Sequence, residues 1–575
     1  MRPKGSAICA IFILLLVPCV VQTQSSRGAS FDVLIVNGQV IDGSGNPWFY
    51  ADIGVRDGKI VSVGDLRNAS AAKKIDAIGK VVTPGFIDIH SHADYGLSSD
   101  EIRRRSAPNL ITQGITTVLV NQDGESPSSI QEQREGLAKK KIGLNVALLV
   151  GHNSVREEAM GKSYQRLATP AEIEQMRKLV RRGMEEGAFG LSAGLEYDAG
   201  VYSNTDEIVQ LLKEVAPFGG IYISHPRSEA EAPMWYAPSQ NRTCQLTVLA
   251  GIRETIEIGG RTGVPVVATH LKVRGEKFWG ASGAVIDMIE RARTRGVEVW
   301  GDEYVYNSSG SDGDLKLIPD WAVGSPGRDD RKNYDYPSAL RRTLENPKLA
   351  GDVRSDIAFL ISFRGGPENI RVFDFPDSSF VGKTLAELAK SQSTTPVEIA
   401  IQLQLKGYAN RRGGTGLRSF SLAESDIEAF MARPWVATST DGDIVLPEDG
   451  PNKHPRFYGN YPRKIRHYVL ERRVLSIEQA IRASTSLPAQ ILGLRDRGLI
   501  REGFWADVVI MDLERVRDKA TFVQPHQYSE GIEYVLENGK VVIDGEHLTG
   551  ELPGVVLQNK SGRRVRPSQP EHFTP

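Results

Sequence analysis

Two histidines separated by one residue stand at the end of an apolar run near the start of the chain. The run is VVTPGFIDIHSHAD at residues 81 to 94, and the histidines are His90 and His92. Because successive side chains of an extended strand point to opposite faces, two imidazoles at this spacing point the same way and can bind one metal ion. Histidine is the commonest metal ligand, and zinc accepts it together with carboxylate or thiolate. The pair predicts a metal site at a strand end, with ordinary core or surface histidines as the alternative.

Further histidines and an aspartate follow other apolar stretches that are typical of strands. They are His152 after NVALLVG, His225 after GIYIS, His270 after VPVVAT, and Asp441 in STDGD. Five of the ten histidines therefore stand at predicted strand ends, which random placement rarely gives. In a barrel of parallel strands the active site lies at the carboxyl ends. We therefore expect these side chains to meet in one metal site.

Several motifs in a fixed order resemble a known family. They are PGFIDIHSH, VGHNSVR, SAGLEY, ISHPRSE, VVATHLKVRG, TSTDGD, HPRFYGNYPR and GFWADVVIMD, spread over roughly residues 31 to 550. The first resembles the metal motif of the amidohydrolase superfamily, and the whole chain is similar to its D-aminoacylase (N-acyl-D-amino-acid deacylase) branch. The resemblance implies one or two zinc ions and hydrolysis of the amide bond of N-acyl-D-amino acids. The preference for the D series rests on the resemblance alone.

The resemblance also implies roles for individual residues. Asp441 is implied to contact metal and to move protons. His152 is implied to touch the substrate or the developing oxyanion, with a buried, hydrogen-bonded histidine as the alternative. Arg227 and Glu229 follow a ligand closely and are expected to support it through hydrogen bonds. The implied metal ligands, besides Asp441, are His90, His92, His225 and His270.

One position departs from the family pattern. Where the best-known D-aminoacylases have a cysteine in a GNCG turn after the second strand, this chain has NQDG, and Asp123 takes the position of the cysteine. A carboxylate can bind one cation or bridge two, and as a harder ligand it changes the metal preference. The alternative is a turn aspartate before Gly124. No lysine follows SAGLEY, so the carboxylated-lysine bridge of hydantoinases and dihydroorotases is not expected.

A substrate with a carboxylate needs a cation in the site. Lys272 follows His270 by two residues and by resemblance helps to hold this carboxylate. Arg456 or Arg463 in HPRFYGNYPR can supply a two-pronged guanidinium. Tyr197 is a candidate for binding the same group or for polarising the amide. For both arginines and for Tyr197 a packing or surface role is the alternative.

Strands and helices must alternate to place these residues. The eight candidate strands are the run ending at His90, ITTVLV (115–120), NVALLVGH (145–152), AFGLSAGLEY (188–197), GIYISHPR (220–227), VPVVATHLKV (264–273), VEVWGDEY (297–304) and WVATSTDGD (435–443). Segments such as PAEIEQMRKLVRRGMEEG (170–187) have helical spacing of apolar residues. The alternation predicts an α/β fold with a (β/α)8 TIM-like barrel over 83–495. The long gap before the last strand predicts an insertion over 305–434 that covers the mouth, or a third small domain.

Both ends of the chain predict short strands with Asn-Gly and Asp-Gly turns. We expect residues 31–82 and 496–550 to form one β-sandwich-like domain, because each part buries too little surface alone. Residues 551–575 are predicted to be a tail.

The N-terminus predicts export. Two cations in MRPKGS precede the apolar segment AICAIFILLLVPCVV, which indicates a signal peptide over residues 1–24 and a periplasmic or secreted protein. An uncleaved anchor is the alternative, although no stable membrane partner is predicted. Cys9 and Cys19 lie in this segment, so Cys244 stands alone in the mature chain and no intramolecular disulfide is possible.

Composition excludes several classes of function. The chain has 70 Lys and Arg against 71 Asp and Glu. It has no basic patch of the kind that would indicate a nucleic-acid partner. No GxSxG motif stands at a suitable strand-to-helix turn and no Walker-type loop is present, so the expected partner is a small-molecule substrate of a metallohydrolase. Dipeptidase or cyclic-amide hydrolase activity on the same metals remains an alternative, as does a binding protein that kept the barrel. The oligomeric state does not follow from the sequence.

Overall fold

The computed structural model describes residues 31–241, 246–310, 315–324 and 333–559. The predicted signal peptide, Cys244 and most of the predicted tail lie outside these ranges. Within them, no helix has both the length and the apolar character needed to cross a bilayer.

The described chain begins with short strands joined by tight turns. Strands β2 and β3 are joined by Asp57 and Gly58, whose φ angles are 51° and 77°. Positive φ at both turn residues matches the right-handed twist of a hairpin and explains the Asp-Gly pair. The strands are β1 (Phe31–Val40), β2 (Phe49–Arg56), β3 (Lys59–Gly64), β4 (Ala71–Asp76) and β5 (Val81–Pro84).

The next part alternates parallel strands with helices. All described side chains of these strands are buried, as expected for parallel strands covered on both faces. The strands are β6 (Phe86–Asp88), β7 (Ile115–Val120), β8 (Asn145–Leu148), β9 (Val150–Gly151), β10 (Gly190–Gly194), β11 (Ile221–His225), β12 (Val266–Ala268) and β13 (Val299–Glu303). The helices are α1 (Asp94–Ser98), α2 (Ile102–Arg105), α3 (Pro108–Ile111), α4 (Ile130–Lys140), α5 (His152–Met160), α6 (Pro170–Glu185), α7 (Thr205–Val215), α8 (Val248–Thr262) and α9 (Ser282–Thr294).

Helix α6 shows why the sequence forms helices here. Thr169 accepts a hydrogen bond from the Glu172 backbone N–H while the Glu172 carboxylate accepts one from the Thr169 N–H, and Pro170 fills the first helical position. This capping box satisfies donors that a helix start leaves free.

An insertion with a hydrophobic core of its own follows β13. Leu340, Ile357 and Leu403 are among the side chains buried in this core. Strands β14 and β15 form an antiparallel hairpin within it. Its elements are α10 (Asp320–Val323), α11 (Tyr336–Leu344), α12 (Pro347–Phe363), β14 (Ile370–Asp374), α13 (Leu385–Ser391), α14 (Pro396–Lys406), β15 (Gly416–Ser419) and α15 (Glu424–Met431).

The C-terminal part completes two sheets. Its elements are β16 (Val436–Thr438), α16 (Arg456–Arg463), a π-helix (Lys464–Glu471), α17 (Ile477–Ser484), α18 (Ser486–Leu492), β17 (Val508–Met511), β18 (Ile532–Glu537), β19 (Lys540–Asp544) and β20 (His547–Leu548). Strand β17 pairs antiparallel with β5, so both ends of the described chain lie in one sheet. Its order is β20-β19-β18-β17-β5-β1-β2-β3, with β4 beside β1.

The parallel strands form two adjoining sheets, β6-β7-β8 and β16-β13-β12-β11-β10-β9. Only Leu149 separates β8 from β9, so the chain itself joins the two sheets at one edge. At the other edge, Ser91 forms a parallel bridge with Gly442. There the His92 N–H donates to the Gly442 carbonyl at 2.7 Å, and the Asp441 N–H donates to the His90 carbonyl at 2.9 Å. These bonds set the carboxyl ends of β6 and β16 side by side.

Candidate metal centre and active site

Four histidines predicted as ligands converge at the carboxyl ends of parallel strands. His90 and His92 follow β6, and their Nε2 atoms are 3.4 Å apart. His225 ends β11 and His270 follows β12, and the His225 Nδ1 atom is 3.0 Å from the His270 Nε2 atom. The rings of His90 and His270 have their centroids 4.9 Å apart, so the two pairs form one cluster.

Two carboxylates lie among these imidazoles. Asp441 Oδ1 is 3.3 Å from His92 Nε2 and 3.7 Å from His90 Nε2. Asp123 lies between the histidine pairs, because its Oδ1 is 3.8 Å from His90 Nε2 and 3.9 Å from His270 Nε2. The other Asp123 oxygen, Oδ2, is 3.7 Å from His92 Nε2. Asp123 therefore has the position of a group shared by two sets of ligands.

Neighbouring side chains fix which ring nitrogen of His90 and of His225 faces the cluster. His90 Nδ1 is 2.5 Å from Thr269 Oγ1, which in turn donates to Asp302 Oδ2 at 2.6 Å. His225 Nε2 is 2.9 Å from Glu196 Oε2. Because these outer nitrogens face acceptors, the inner nitrogens keep a lone pair for a metal ion.

The donor set fits zinc. Three groups of donor atoms lie within 4.8 Å of one another, namely His90–His92–Asp441, His90–Asp123–His270 and His225–Glu229–His270. Two zinc–ligand bonds of about 2.0–2.1 Å at a tetrahedral angle place their donor atoms about 3.3 Å apart, close to the separations in this cluster. Asp123 Oδ1 is buried and has no hydrogen-bond partner among the described residues. A cation is the natural partner for such an oxygen.

Three of the clustered residues have an unusual backbone. The φ angles of Asp123, His270 and Asp441 are 57°, 36° and 46°. Residues other than glycine rarely adopt this left-handed region, and each such position costs of order 1–3 kcal/mol. The strand ends thus bend sharply where their side chains turn toward the cluster, as is common at functional sites.

The pKa values of several groups in the cluster are strongly shifted. Burial holds the pKa of His90 well below its usual range. For His92 burial acts in the same direction, but the hydrogen bond with Asp441 and the charge of Asp123 outweigh it and raise the pKa to about 9. Burial opposes ionisation of Asp441, but Arg456, whose Nη2 is 3.1 Å from Asp441 Oδ2, and His92 hold the pKa of this carboxyl well below its usual range. Asp441 is therefore a carboxylate at neutral pH.

The cluster forms the floor of a cavity of about 560 Å³. Lys272 lines it and forms an ion pair with Glu229 at 2.7 Å. Tyr304 lies between the two cations of this wall, with its ring centroid 5.5 Å from Lys272 Nζ and 4.4 Å from Arg456 Cζ. Tyr197 also lines the cavity, and its ring lies 4.3 Å from that of His225. The cavity therefore combines a metal-binding cluster with cations suited to a carboxylate.

The structure does not bring all predicted residues to this cavity. His152 is buried at the start of α5, and its Nε2 is 2.8 Å from Glu207 Oε1, which favours the buried, hydrogen-bonded alternative. Arg463 donates to the Val305 carbonyl at 3.1 Å and lines a separate surface pocket. Arg227 pairs with Glu254 at 2.8 Å. None of these three is among the described side chains that line the cavity.

Other residues of the site escaped the sequence analysis. Tyr304 comes directly after β13, and its position at a strand end was the available signal. Glu196 lies within the SAGLEY motif, but nothing in that motif points to its contact with His225 across 29 positions. Thr269 and Asp302 stand next to predicted strand ends, and only their tertiary contacts reveal that they support His90.

Comparisons with known proteins agree with this geometry. The model of an amidohydrolase family matches residues 73–244 and 377–543. A D-aminoacylase from Alcaligenes xylosoxydans xylosoxydans is 31% identical over 555 residues, which cover 92% of this chain and 98% of that protein. A crystal structure of N-acyl-D-glutamate deacylase from Bordetella bronchiseptica, in complex with zinc and a phosphonate mimic of the tetrahedral intermediate, is 29% identical with a TM-score of 0.71. A D-aminoacylase structure described as having a binuclear metal centre is 27% identical with a TM-score of 0.70. Each structural alignment covers 92% of this chain and 100% of the other.

Proposed function

The chain belongs to the amidohydrolase family, in its D-aminoacylase branch, and from this premise we propose that it hydrolyses N-acyl-D-amino acids to a carboxylate and a free D-amino acid. The observation that carries the proposal is the arrangement of one cavity. A cluster of four histidines and two aspartates forms its floor, and Lys272 and Arg456 flank Tyr304 on its wall. An amide at the cluster and a carboxylate at the cations are the two parts of an N-acyl amino acid.

We propose that His90, His92, Asp123, His225, His270 and Asp441 hold one or two zinc ions. When bound, zinc acts as a Lewis acid that acidifies water and polarises a carbonyl group. Thr269 and Glu196 keep the imidazoles oriented for this role, since they engage the outer nitrogens of His90 and His225.

Asp441 is the proposed proton carrier. It is ionised at neutral pH, and one of its oxygens faces the histidines while the other faces Arg456. The carboxylate accepts a proton from the attacking water as the new O–C bond forms at the acyl carbon. It then delivers this proton to the nitrogen of the leaving amine as the C–N bond breaks.

Lys272, Arg456 and Tyr304 are the proposed clamp for the α-carboxylate of the substrate. Two cations and a phenol can satisfy both carboxylate oxygens, and charge-assisted hydrogen bonds of this kind are the strong ones. The Tyr304 hydroxyl is buried and has no hydrogen-bond partner among the described residues, so it is available for a ligand. The Tyr197 ring lies beside that of His225 at an interplanar angle of 40°, and we propose that it contacts the acyl group.

A closed (β/α)8 barrel with a β-sandwich and an insertion is the architecture we propose around this site. Counting β8 and β9 as one strand gives eight parallel strands in the described chain, and the Ser91–Gly442 bridge supports closure between the first and the last. Parallel barrel strands direct their carboxyl ends to one face, which is where the six proposed ligands lie.

Export is proposed from the N-terminal sequence alone. The test is to express the chain with and without residues 1–24 in a Gram-negative host and to compare the periplasmic and cytoplasmic fractions. Equal partition of both forms would contradict a signal peptide.

Release of free amino acid from paired N-acetyl-D- and N-acetyl-L-amino acids tests the proposed function. We expect turnover of the D series in the presence of zinc and loss of turnover after chelation. Turnover of neither series by zinc-loaded protein would overturn the deacylase proposal and direct the search to dipeptides and hydantoins.

A further inference from the structure

A second pair of cations lines the cavity, in addition to the clamp formed by Lys272, Arg456 and Tyr304. Arg274 follows β12 and Arg364 follows α12 of the insertion, and both line the same cavity as Asp441. They flank one aromatic ring, because the Phe363 centroid is 4.6 Å from Arg274 Cζ and 5.4 Å from Arg364 Cζ. We name Arg274 and Arg364 the arginine pair.

The backbone fixes this arginine pair at the junction between the parallel sheet and the insertion. The Arg274 N–H donates to the Glu229 carbonyl at 2.8 Å, and the Gly275 N–H donates to the Ser421 carbonyl at 3.0 Å. Arg274 also forms an antiparallel bridge with Leu422. The loop after β12 is therefore tied to the insertion that carries Arg364, and the two guanidinium groups are held close together.

The hydrogen-bonding groups of the arginine pair are poorly satisfied. Arg274 lies 3.4 Å from Glu229 Oε2 and 3.6 Å from Glu196 Oε1, and its Nε and Nη2 atoms have no hydrogen-bond partner in the described part of the chain. Arg364 forms no ion pair with any described residue, and its buried Nε atom has no partner there. Burial, followed by the charge of Arg274, lowers the pKa of Arg364 to about 9.

The carboxylates of this corner are engaged by groups other than Arg364. Glu229 pairs with Lys272 at 2.7 Å and with Arg274 at 3.4 Å. Glu196 pairs with His225 at 2.9 Å and with Arg274 at 3.6 Å. Arg364 has no carboxylate within ion-pair distance among the described residues, and an unpaired charge in a largely desolvated place is costly. An anion that enters the cavity relieves this cost.

We propose that the arginine pair is a second anion subsite, so that the preferred substrate is an N-acyl-D-amino acid with a carboxylate in addition to its α-carboxylate. A guanidinium fork matches a carboxylate in geometry as well as in charge. The proposal rests on the proposed function and names the substrate class of the same site. The second carboxylate has two chemical sources, an acidic side chain or the far end of a dicarboxylic acyl group.

Two isosteric substrate pairs distinguish these sources. N-acetyl-D-glutamate against N-acetyl-D-glutamine tests the side chain, and N-succinyl-D-leucine against N-succinamoyl-D-leucine tests the acyl group. In each pair only the second carboxylate is replaced by a neutral amide. We expect kcat/KM to favour the charged member of one pair by about ten- to hundredfold, as for a charge-assisted hydrogen bond.

Substitution of Arg364 links this preference to the arginine pair. In Arg364→Gln the ratio of kcat/KM between the charged and neutral members falls toward one. Arg364→Lys retains part of the preference for the charged member. Arg354→Gln is the matched control, because Arg354 lies on the same helix but pairs with Glu398 away from the cavity, and it leaves the ratio unchanged. Since Arg364→Gln removes an unpaired buried charge, its midpoint of thermal unfolding without substrate is equal to or higher than that of the wild type.

The outcomes separate this inference from the proposed function. If neutral N-acetyl-D-amino acids are hydrolysed as well as both charged members, the second subsite is wrong and the deacylase stands. If the charged preference survives in Arg364→Gln, the arginine pair is not its cause. If no acyl-D-amino acid is hydrolysed by zinc-loaded protein, the deacylase proposal fails and the second subsite fails with it.

Discussion

Replacing Asp441 with asparagine tests the proposed proton carrier most directly. The change keeps the size of the side chain but removes its charge and one oxygen. Asp441 Oδ1 is 3.3 Å from His92 Nε2 and Oδ2 is 3.1 Å from Arg456 Nη2. The amide cannot accept a proton from water at neutral pH, whereas Lys272 and Tyr304, which hold the substrate carboxylate in the proposed complex, are untouched.

The expected loss lies mainly in kcat. A positioned general base and acid contributes about 10²–10⁴-fold, which corresponds to about 3–5 kcal/mol in the barrier. KM changes less than kcat, since Lys272 and Tyr304 still hold the substrate carboxylate although Arg456 loses its Asp441 partner. The variant is also less stable, because Arg456 loses the carboxylate it pairs with, and removing one partner of a buried pair costs about 3–5 kcal/mol. Activity must therefore be expressed per folded, metal-loaded molecule.

The assay measures kcat and KM for a hydrolysed N-acetyl-D-amino acid, with zinc content and thermal unfolding determined on the same sample. Asp443→Asn is the matched control, because Asp443 lines the same cavity two residues further on, and its Oδ1 accepts a hydrogen bond from the adjacent Ile444 N–H. We expect the control to keep kcat within an order of magnitude. A kcat near that of the wild type for zinc-loaded Asp441→Asn would refute the assigned role.

Two further predictions concern the site, and a third concerns the buried Glu303 at the end of β13. Tyr304→Phe lowers kcat/KM about ten- to hundredfold, because the substrate carboxylate loses a hydrogen bond. The midpoint of thermal unfolding stays unchanged, because this hydroxyl has no partner among the described residues. A lower midpoint would contradict the view that the hydroxyl is kept for a ligand. Asp123→Asn weakens zinc binding by more than about tenfold in a competition titration with a chelator, because both ligand sets lose their shared carboxylate; unchanged affinity would exclude Asp123 as a ligand. Burial raises the pKa of Glu303 to about 8, whereas the unfolded chain releases this proton near the ordinary pKa of 4.5. The folded chain therefore binds one more proton between these two values, and its stability falls as the pH rises from about 4.5 to about 8. Glu303→Gln therefore raises the unfolding midpoint near pH 8 but not near pH 4, and a shift independent of pH would contradict the linkage.

Local sequence patterns are enough to place most of the candidate metal ligands along the chain. An apolar run that ends in a polar residue marks the end of a buried strand, and the alternation of side chains sets His90 and His92 on one face. These are local properties, so the bounds predicted from the sequence for strand β7 (Ile115–Val120) and helix α6 (Pro170–Glu185) agree closely with the structure. Asp123 entered the prediction differently, through the resemblance, because it takes the position of the family cysteine in the turn after the second strand.

The contacts of these residues depend on the packing of distant segments. His152 stands at a strand end like the others, but its ring turns to Glu207, which is 55 positions away in α7. Tyr304 and the arginine pair take their roles from neighbours on other elements, and no local pattern indicates that Arg364 of the insertion lines the cavity. The spacing of residues along a strand fixes the face to which each side chain points, whereas the groups that it contacts depend on how distant segments pack. For this reason the candidate ligands and three lining residues, Lys272, Arg456 and Tyr197, could be predicted from the sequence and its family resemblance, whereas Tyr304 and the arginine pair could not.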